Sequence, residues 1–426
     1  MKILMTGATG FIGKEMGIAL AKKGHELIVL SRDVAMAKMH LPFPCTIYEW
    51  RRHMSSDACK GIQAVVHLAG EPVAGRWTSD KKRKIRDSRI HNTHTLFRYL
   101  TANKAHHQLT HVVAASAVGF YGDRGGQILT EESDQGQGFL SQVCVDWEKA
   151  TQEGSESLGA RYIGIRTGMV LGTQGGALKE MLPLFQRGLG GVLGDGTQYM
   201  SWIHLQDLVR MYVSMIENSE AQGVFNGVAP HPVSNSQFTS ELCQALGVSK
   251  GFSVPAFVLK AMLGEVSVLA LSSQNAIPQK AMEKDFIFEY PTLEEALRNL
   301  FRGQNPGEKT FISKQWIPMS LSKTFDSFKQ PSQMKIFLPS WVDVKNLPVP
   351  IVEGYSTSYE LKIKGASVHH LQTFETLGRG TLMTDRLVYR PPLGVAGHWL
   401  ATPLIDRDLK AFTEHRRQVI FDRFCR

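Results

Sequence analysis

Short apolar runs alternate with longer amphipathic stretches through the first half of the chain. The apolar runs predict strands at residues 3–5, 25–30, 64–68, 111–115 and 161–166. The amphipathic stretches predict helices at residues 11–20, 79–104 and 141–158. Strands that alternate with helices in this way form parallel sheets, so the pattern predicts an α/β fold with helices on both faces of the sheet.

The regular alternation of predicted strands and helices ends after residue 172, where glycine-rich loops follow. Further helices are predicted at residues 207–218, 236–246, 255–263 and 292–301. Segments of strict alternation then appear at residues 355–363 and 381–389, and the chain ends in a helical stretch at 405–424. Strict alternation is typical of antiparallel strands with one solvated face, so the last part of the chain is predicted to be α+β.

A change of composition near residue 303 predicts a domain boundary. Residues 303–307 form a polar linker that contains glycine and proline. At 426 residues the chain is also too long for one ordinary hydrophobic core. We therefore expect a first domain of residues 1–302, which ends in a helical module at about 248–300, and a second domain of residues 308–426.

A glycine-rich turn, TGATGFIG at residues 6–13, connects the first predicted strand to the first predicted helix. Gly7 permits the tight turn, Gly10 lets the backbone approach a ligand, and Gly13 lets the helix pack closely. The helix N-terminus offers N–H groups and a partial positive charge to phosphates. These features predict a Rossmann-type, doubly wound fold that binds a dinucleotide. We expect the cofactor to contact Thr6, Gly7, Thr9, Gly10, Phe11, Ile12 and Gly13.

The residues after the second predicted strand select the form of that cofactor. An acidic residue at this point binds a ribose 2′-hydroxyl, whereas an arginine accommodates a 2′-phosphate. The strand ends in Ser31 and Arg32, which offer a hydroxyl and a planar guanidinium to a phosphate. Asp33 follows directly, and a shift of one residue would make it the partner of an unphosphorylated ribose. The sequence thus favours NADP(H) over NAD(H) and leaves both open.

Composition and charge argue against a nucleic-acid-binding, a membrane-spanning and a metal-binding protein. The net charge is +9, yet no basic run is interleaved with aromatic residues, and the cluster at residues 81–84 is interpreted as a solvated helix face. The longest apolar stretch, at 254–272, is interrupted by charges, so no membrane span is predicted. Five scattered cysteines lack metal spacing, and adjacent His369 and His370 would point to opposite faces of a strand. We expect a cytoplasmic protein without a metal or nucleic-acid partner.

Four segments resemble the atypical extended short-chain dehydrogenases/reductases, a superfamily that includes NAD-dependent epimerases and dehydratases of nucleotide sugars. They are HLAGEP at residues 67–72, SAVGFYG at 116–122, WIHLQDL at 202–208 and the stretch 254–300. Within the superfamily, the chain is similar to a subgroup of uncharacterised epimerase-like proteins, some of them labelled cell-division inhibitors. The resemblance covers residues 1 to about 302 and implies an enzyme with a small-molecule substrate.

The HLAGEP segment adds candidates for the cofactor site. The backbone beside the adenosine and the nicotinamide ribose is predicted to be that of Leu68, Ala69 and Gly70. Glu71 is interpreted either as a ribose ligand or as a solvated loop carboxylate. Arg76 and Arg89 flank the long helix and are candidates for a cofactor phosphate or an anionic substrate, with surface salt bridges as the alternative.

The chain departs from the superfamily at the catalytic pair, a tyrosine with a lysine four residues later on the same helix. None of the ten tyrosines is followed by lysine at that spacing. Alignment on the family places Phe139 and Val143 near the missing pair. Ser116, at or beside the place of the family's catalytic serine, and Tyr121 remain as catalytic candidates, with Tyr121 more readily explained as a packed loop aromatic.

Three acidic residues near these candidates are interpreted as structural. Asp146 and Glu148 are predicted to be exposed charges on the surface of a helix. Asp207 is predicted to fix a loop or a helix start, and as an N-cap it would accept hydrogen bonds from free backbone donors.

The second domain resembles the helix-grip superfamily of START-type lipid carriers and polyketide cyclases. The resemblance rests on residues 311–318, on 380–390 with the turn at 391–394, and on the final helix. It implies a curved antiparallel sheet that wraps a long helix and leaves a cavity for an apolar ligand. Residues 364–373 are too few for the full fold, as though a pair of central strands were absent, and a reduced sheet would not enclose that cavity.

Two functions fit these features. The first is an NADP(H)-dependent oxidoreductase or epimerase-like enzyme that acts on a small carbonyl or hydroxyl compound. The alternative is a nucleotide-binding regulatory or sensor protein, in which cofactor occupancy changes the docking of a ligand-binding second domain. The missing tyrosine–lysine pair and the fused second domain motivate the alternative.

Overall fold

The computed structural model describes residues 1–50, 54–305, 307–329, 335–344, 349–351, 355–363, 366–391 and 401–425. Residue 306 of the predicted linker and residues 392–394 of the predicted turn lie outside these ranges. The chain divides into two compact units. One unit contains residues 1–19, 25–32 and 47–301, and the other contains residues 20–24, 33–46 and 302–426.

Residues 1–301 carry the strands and helices that the alternating pattern predicts, together with several short strands in the loops. The strands are β1 (Lys2–Thr6), β2 (Glu26–Ser31), β3 (Thr46–Glu49), β4 (Ala64–His67), β5 (His111–Ala117), β6 (Ile128–Leu129), β7 (Arg161–Thr167), β8 (Met169–Leu171), β9 (Tyr199–Met200), β10 (Trp202–His204), β11 (Gly223–Gly227), β12 (Val233–Ser234) and β13 (Asn275–Ala276). The helices are α1 (Phe11–Lys22), α2 (Val34–His40), α3 (Ser79–Ala102), α4 (Phe139–Ser157), α5 (Gly176–Gln186), α6 (Leu205–Glu217), α7 (Asn235–Leu246), α8 (Ala256–Leu263), α9 (Val268–Leu271), α10 (Gln279–Glu283) and α11 (Leu293–Leu300).

Seven strands form one sheet in the order β11-β7-β5-β4-β1-β2-β3, and the pairs from β11 to β2 are parallel. The chain builds outward from β1 through β2 and β3, then returns to β4 on the other side of β1. The strand order therefore reverses between β1 and β4. In doubly wound folds this reversal opens a crevice at the carboxyl ends of the strands, where ligands bind.

The central strands are buried along their length, which explains why they are continuous apolar runs in the sequence. Ile3, Leu4 and Met5 of β1 are fully buried, as are Val65 and Val66 of β4. A separate apolar cluster, which includes Trp202, Phe238 and Leu297, packs the helical module that follows β11. The predicted Rossmann-type sheet with a small helical subdomain is thus confirmed.

Residues 302–426 form an antiparallel sheet with a long helix. Their elements are β14 (Lys309–Ile317), α12 (Leu321–Lys329), β15 (Asp343–Val344), β16 (Val349–Ile351), β17 (Ser356–Ile363), β18 (Ala366–Leu377), β19 (Gly380–Tyr389) and α13 (Thr402–Phe424). The sheet order is β14-β19-β18-β17-β15, and β16 also pairs with β17. Because β15 and β16 pair with opposite ends of β17, they share one position in a sheet five strands wide.

Helix α13 packs on this sheet through buried residues that recur three and four positions apart. Leu409 and Phe412 share an apolar cluster with strand residues of β17, β18 and β19, and Ile420 shares another with Phe374 and Met383. The α+β character predicted for this region is confirmed. In β18 the side chain of His370 is fully buried while that of His369 is exposed, as the period of a strand predicts.

No helix within the described ranges combines the length and the apolar character needed to cross a bilayer.

Candidate dinucleotide and substrate site

The turn between β1 and α1 packs so closely on its neighbours that side chains at Gly7 and Gly13 would not fit. Gly7 has φ of +73°, and a Cβ atom there would lie 2.6 Å from the carbonyl carbon of Leu68 and 2.7 Å from the nitrogen of Ala69. A Cβ atom on Gly13 would lie 2.2 Å from the carbonyl oxygen of Gly7. The end of β4 therefore lies directly against the turn, and α1 packs closely behind it.

The outer surface of the turn is open. Thr9 and Gly10 are exposed, and Gly10 donates its N–H to the carbonyl of Gly7 at 3.0 Å. The ring of Phe11 is held in place, since a Cβ atom on Gly172 or Gly175 would lie 2.5 Å from it. The turn, the start of α1 and the open side of Gly10 fit the diphosphate of a dinucleotide.

A buried histidine connects the strands beneath this turn. Nδ1 of His67 lies 2.6 Å from Oγ1 of Thr6, and its Nε2 lies 2.9 Å from Oγ1 of Thr93 in α3. Burial lowers the pKa of His67 to about 4, so the ring is neutral at neutral pH. The side chain of Thr6 is thus engaged inside the fold, and the backbone of the turn faces the crevice.

Positive charge collects where β2 and β4 end. Arg32 is exposed, and the Asp33 carboxylate caps α2 by accepting from the N–H of Met36 at 2.8 Å. Glu71 accepts from Nζ of Lys81 at 2.7 Å. That hydrogen bond, with further charge from Lys81, Lys84 and Arg32, lowers the pKa of Glu71 although burial opposes it. One carboxylate therefore lies among several cations at this edge of the sheet.

Of the two arginines predicted to flank the long helix, only Arg76 does so, because Arg89 lies within α3. Arg76 is exposed in the loop before α3. Arg89 is partly buried in α3, and its Nη1 donates to the carbonyls of Glu71 at 3.0 Å and Ile85 at 3.1 Å. A Cβ atom on Gly70 would lie 3.3 Å from the Arg89 guanidinium. The structure thus brings Arg89, and not Arg76, against the predicted cofactor-binding backbone.

A buried ion pair dominates the region after β5. Arg166 donates through Nε and Nη2 to both carboxylate oxygens of Glu148, each at 2.9 Å. Ser116 donates to the same carboxylate at 2.5 Å. Nη1 of Arg166 donates to the phenol of Tyr121 at 3.1 Å, and that phenol donates to Asn226 Oδ1 at 2.7 Å. The predicted exposure of Glu148 is therefore wrong. Its side chain is only 11% exposed, and both of its carboxylate oxygens accept hydrogen bonds from Arg166.

Both catalytic candidates belong to this network. Tyr121 is fully buried, and burial raises the pKa of its phenol, although Arg166 and Asn226 act in the opposite direction. A phenol with a raised pKa does not act as a base at neutral pH. The geometry gives Ser116 and Tyr121 structural contacts, and a catalytic role for either one stays a prediction.

The sequence does not reveal this network, because its members lie in β5, the loop after β5, α4, β7 and β11. One signal is present: Arg166 directly follows the buried apolar run at residues 162–165 of β7, and a charged residue in a buried parallel strand needs a partner. That partner lies 18 residues earlier in α4 and is found only in the folded chain.

Apolar and aromatic side chains occupy the region where the tyrosine–lysine pair is missing. Phe139 begins α4, and its ring meets that of Trp77 edge to face with centroids 5.3 Å apart. Nζ of Lys82 lies 5.5 Å from the Phe139 ring centroid and forms an ion pair with Glu265. Val143 is buried. Where the family's tyrosine and lysine are expected on α4, this chain thus has Phe139, packed against Trp77, and the buried Val143.

Asp207 fixes a loop, as predicted, but it does not cap its own helix. The fully buried carboxylate accepts from the N–H groups of Glu289 at 2.8 Å and Tyr290 at 2.9 Å. Nδ1 of His204 instead accepts from the N–H of Gln206 at the start of α6. Burial raises the pKa of Asp207, and the two backbone donors oppose this. The carboxylate ties the segment before α11 to α6.

A cavity of about 690 Å³ lies between the loop after β5, the loop before β9 and the helical module. Its polar lining residues include Asp123, Asp195, Thr197, Tyr199, Lys260, Ser272 and Ser273. Hydroxyl groups and two carboxylates thus predominate, with one lysine. Asp123 of the lining follows Tyr121 by two residues in the loop after β5, so this loop connects the cavity to the buried network.

Comparison with known proteins gives the family. A profile of the NAD dependent epimerase/dehydratase family matches residues 3–226, which is more than half of the chain. A second profile, a domain of unknown function called DUF1731, matches residues 254–300. A chloroplastic SDR39U1 homolog of Arabidopsis thaliana, named an epimerase family protein, is 36% identical over 309 residues, which are 71% of this chain and 87% of that protein.

Two crystal structures agree with these matches. Human epimerase family protein SDR39U1, isoform 2, with NADPH, superposes with a TM-score of 0.62 at 29% identity, over 71% of this chain and 100% of that one. The nucleoside-diphosphate sugar epimerase of Corynebacterium glutamicum superposes with a TM-score of 0.55 at 34% identity, over 70% of this chain and 57% of that one. The chain belongs to the NAD dependent epimerase/dehydratase family.

Proposed function

We propose that the protein is an NADP(H)-dependent oxidoreductase or epimerase-like enzyme that acts on a small carbonyl or hydroxyl compound. The open glycine cradle at the switch point between β1 and β4 carries this proposal. Family membership and the NADPH in the human relative support it. When bound, the nicotinamide ring supplies or accepts a hydride, and the protein's part is to hold and orient it.

The preference for the phosphorylated cofactor rests on the residues after β2. Ser31 ends β2 and Arg32 follows it, at the point where an arginine accommodates a 2′-phosphate in dinucleotide folds, and Arg32 is exposed. The carboxylate of Asp33 is engaged at the start of α2, which supports Arg32 as the residue that selects the cofactor. A charge-assisted hydrogen bond to phosphate contributes roughly 1.5–3 kcal/mol.

Replacement of Arg32 tests this preference. We expect Arg32→Ala to weaken NADPH binding by about 10-fold to 100-fold, because the 2′-phosphate loses its cation. Binding of NADH should be unchanged, which serves as the internal control. Both dissociation constants follow from titration of the nicotinamide fluorescence. Equal affinity of the unaltered protein for NADPH and NADH would contradict the proposal.

The cavity beside the buried network supports a small hydroxylated substrate. Among the described residues that line it, Lys260 is the one cation, and Asp123 and Asp195 accompany it. A diphosphate would meet more negative than positive charge there. Hydroxyl-bearing side chains at Thr197 and Ser272 can instead exchange hydrogen bonds with substrate hydroxyls.

A hydride-transfer assay tests the activity. NADPH that carries deuterium at the transferable position is incubated with the full chain and a panel of small aldehydes, ketones and sugars, and deuterium in the products is measured by mass spectrometry. We expect transfer to an uncharged hydroxylated carbonyl compound and no competition by nucleoside-diphosphate sugars. Absence of transfer across the whole panel would count against an enzyme.

A second candidate function is a nucleotide-binding regulatory protein. The packing of Phe139 and Val143 at the place of the usual pair, and the buried phenol of Tyr121, support it. The antiparallel sheet that packs on α13 supports a helix-grip-like, START-related second domain as the part that responds to cofactor binding.

Amide hydrogen exchange separates the enzyme from the regulatory protein. It is measured with NADPH, with NADP and without ligand. A regulatory protein shows cofactor-dependent protection in residues 302–426, and identical protection in all three states excludes this role.

A further inference from the structure

Helix α8 is apolar on all sides, and yet most of it is not buried. Lys260 is its only polar residue, and only Leu259 of its apolar residues is buried. All residues of α9 are apolar as well, and each of them is half-buried or exposed. A helix that is apolar all round normally lies in a protein core or in a membrane. The fold of the first domain therefore does not explain the composition of these two helices.

The exposed side chains of this region are large. Phe252 is 94% exposed, Phe257 is 74% exposed and Met262 is 75% exposed. The other large apolar side chains exposed in the same stretch are those of Leu263, Val268 and Leu269. Single exposed apolar residues are common on soluble proteins, whereas a concentration of them marks an interaction surface.

A neighbouring segment extends this surface. Gly251 donates its N–H to the carbonyl of Gly190 at 2.8 Å, and the exposed Leu189 directly precedes Gly190. The backbone next to Phe252 thus lies beside the backbone next to Leu189. We call the surface formed by Leu189 and by the exposed apolar side chains of residues 252–269 the apolar face.

Positive charge accompanies the apolar face. Lys250 and Lys260 are exposed, and each is close in sequence to one of the exposed phenylalanines. The only acidic residue between positions 250 and 272 is Glu265, and its carboxylate forms an ion pair with Lys82 of α3. The apolar face is therefore bordered by cations whose charge no carboxylate of the same segment offsets. Exposed phenylalanines and lysines together are typical of protein surfaces that bind anionic lipids.

The charge and shape of the apolar face distinguish between its possible occupants. A symmetric contact with a second copy would bring Lys250 and Lys260 of both copies together, and like charges oppose such a contact. A folded partner protein would need a pocket for the projecting ring of Phe252. The boundary between lipid headgroups and acyl chains accepts projecting apolar side chains without a preformed pocket. Helix α8 is too short to cross a bilayer, so the contact would be with the bilayer surface.

We infer that the apolar face docks on the surface of an anionic phospholipid bilayer. The rings of Phe252 and Phe257 enter the boundary between headgroups and acyl chains, and Lys250 and Lys260 face the lipid phosphates. Docking does not require the cofactor or a substrate. The inference thus goes beyond the proposed function, and either one can fail while the other holds.

Cosedimentation of the full chain with lipid vesicles tests the inference. One set of vesicles is pure phosphatidylcholine, and the other contains roughly one third phosphatidylglycerol. We expect binding to the anionic vesicles that weakens at high salt, and weaker binding to pure phosphatidylcholine. Phe252→Ser and Phe257→Ser should each weaken binding by about 10-fold to 100-fold, because a ring no longer leaves water. Lys250→Gln should weaken it by about 5-fold.

A matched control separates docking from general stickiness. Ile287 is 76% exposed and lies outside the apolar face, so Ile287→Ser should bind anionic vesicles as the unaltered protein does. Phe252→Ser should keep the thermal unfolding temperature and the NADPH affinity of the unaltered protein, because the exposed ring contributes little to packing. These two measurements show that a loss of vesicle binding is not a loss of folding.

Three results would overturn the inference. The first is no binding of the unaltered protein to anionic vesicles. The second is binding that both phenylalanine variants retain, or that Ile287→Ser loses equally. The third is a dimer in sedimentation velocity that Phe252→Ser dissociates, together with no vesicle binding, which would make the apolar face an interface between copies. None of these results affects the proposed function, which NADPH binding and hydride transfer test separately.

Discussion

At the scale of single residues, Glu148 is the clearest case in which a charge holds the site together. Its carboxylate accepts from Arg166 and Ser116, and all three side chains are largely buried. The pair links α4 to the carboxyl ends of β5 and β7, and through Tyr121 it positions the loop that borders the cavity. Removing one member of the pair leaves the other as an uncompensated buried charge. This lowers the free energy of unfolding by more than the intact pair contributes to it.

We therefore expect Glu148→Gln to lower the free energy of unfolding by about 3–5 kcal/mol, because Arg166 keeps its charge and loses its counter-charge. Urea unfolding followed by tryptophan fluorescence measures this loss. Asp146→Asn is the control, since Asp146 lies on the same helix, accepts from the amide of the exposed Gln142 at 2.8 Å and approaches the exposed Arg86 at 3.7 Å; it should cost less than about 1 kcal/mol. Similar losses in both variants would show that the Glu148 pair is not important for stability.

At the scale of elements, two glycines of the β1–α1 turn have different roles that substitutions can test separately. A Cβ atom on Gly13 would lie 2.2 Å from the carbonyl oxygen of Gly7, so Gly13→Ala must push α1 away from the sheet. A Cβ atom on Gly10 would have only this oxygen nearby, at 3.2 Å, and would extend into the open cradle. The first change affects packing and the second affects the space for a ligand.

Gly13→Ala is expected to abolish NADPH binding and to lower the free energy of unfolding by roughly 1–3 kcal/mol, as overpacking does. Gly10→Ala is expected to weaken NADPH binding by 10-fold or more, as a rough estimate from one lost charge-assisted contact, with stability within about 1 kcal/mol of the unaltered protein. Fluorescence titration and thermal unfolding are measured on both variants. Strong NADPH binding by Gly10→Ala would contradict the position assigned to the diphosphate.

The elements also show how far sequence reasoning reaches. The buried strands and the glycine turn were predictable because their signals are local: the period of apolar residues, and glycines at a strand–helix junction. The burial of Glu148 and the role of Asp207 were not, since the first depends on Arg166 of another strand and the second on backbone donors 82 and 83 residues away. The period of a helix shows which residues share a face, but it does not show what lies opposite.

At the scale of the whole molecule, acid should destabilise the protein through histidines that the fold keeps neutral. His67, His111 and His204 are buried, and burial is the main cause that lowers the pKa of each from 6.5 to about 4. Between pH 6.5 and 4 the unfolded chain binds these protons while the folded chain does not. Stability is therefore full above pH 6.5 and falls as the pH decreases toward 4, by about 1.4 kcal/mol per pH unit for each histidine.

Thermal unfolding at a series of pH values measures this loss, and one variant pair assigns it. His67→Gln removes one withheld proton, so its stability should fall less steeply between pH 6.5 and 4, by about 1.4 kcal/mol per pH unit, whatever its stability at pH 7. His94→Gln is the control, because His94 is exposed on α3 and should leave the slope unchanged. An identical slope in His67→Gln and in the unaltered protein would mean that His67 is protonated in the fold, and the Thr6–His67–Thr93 connection beneath the cofactor turn would then need a charged ring.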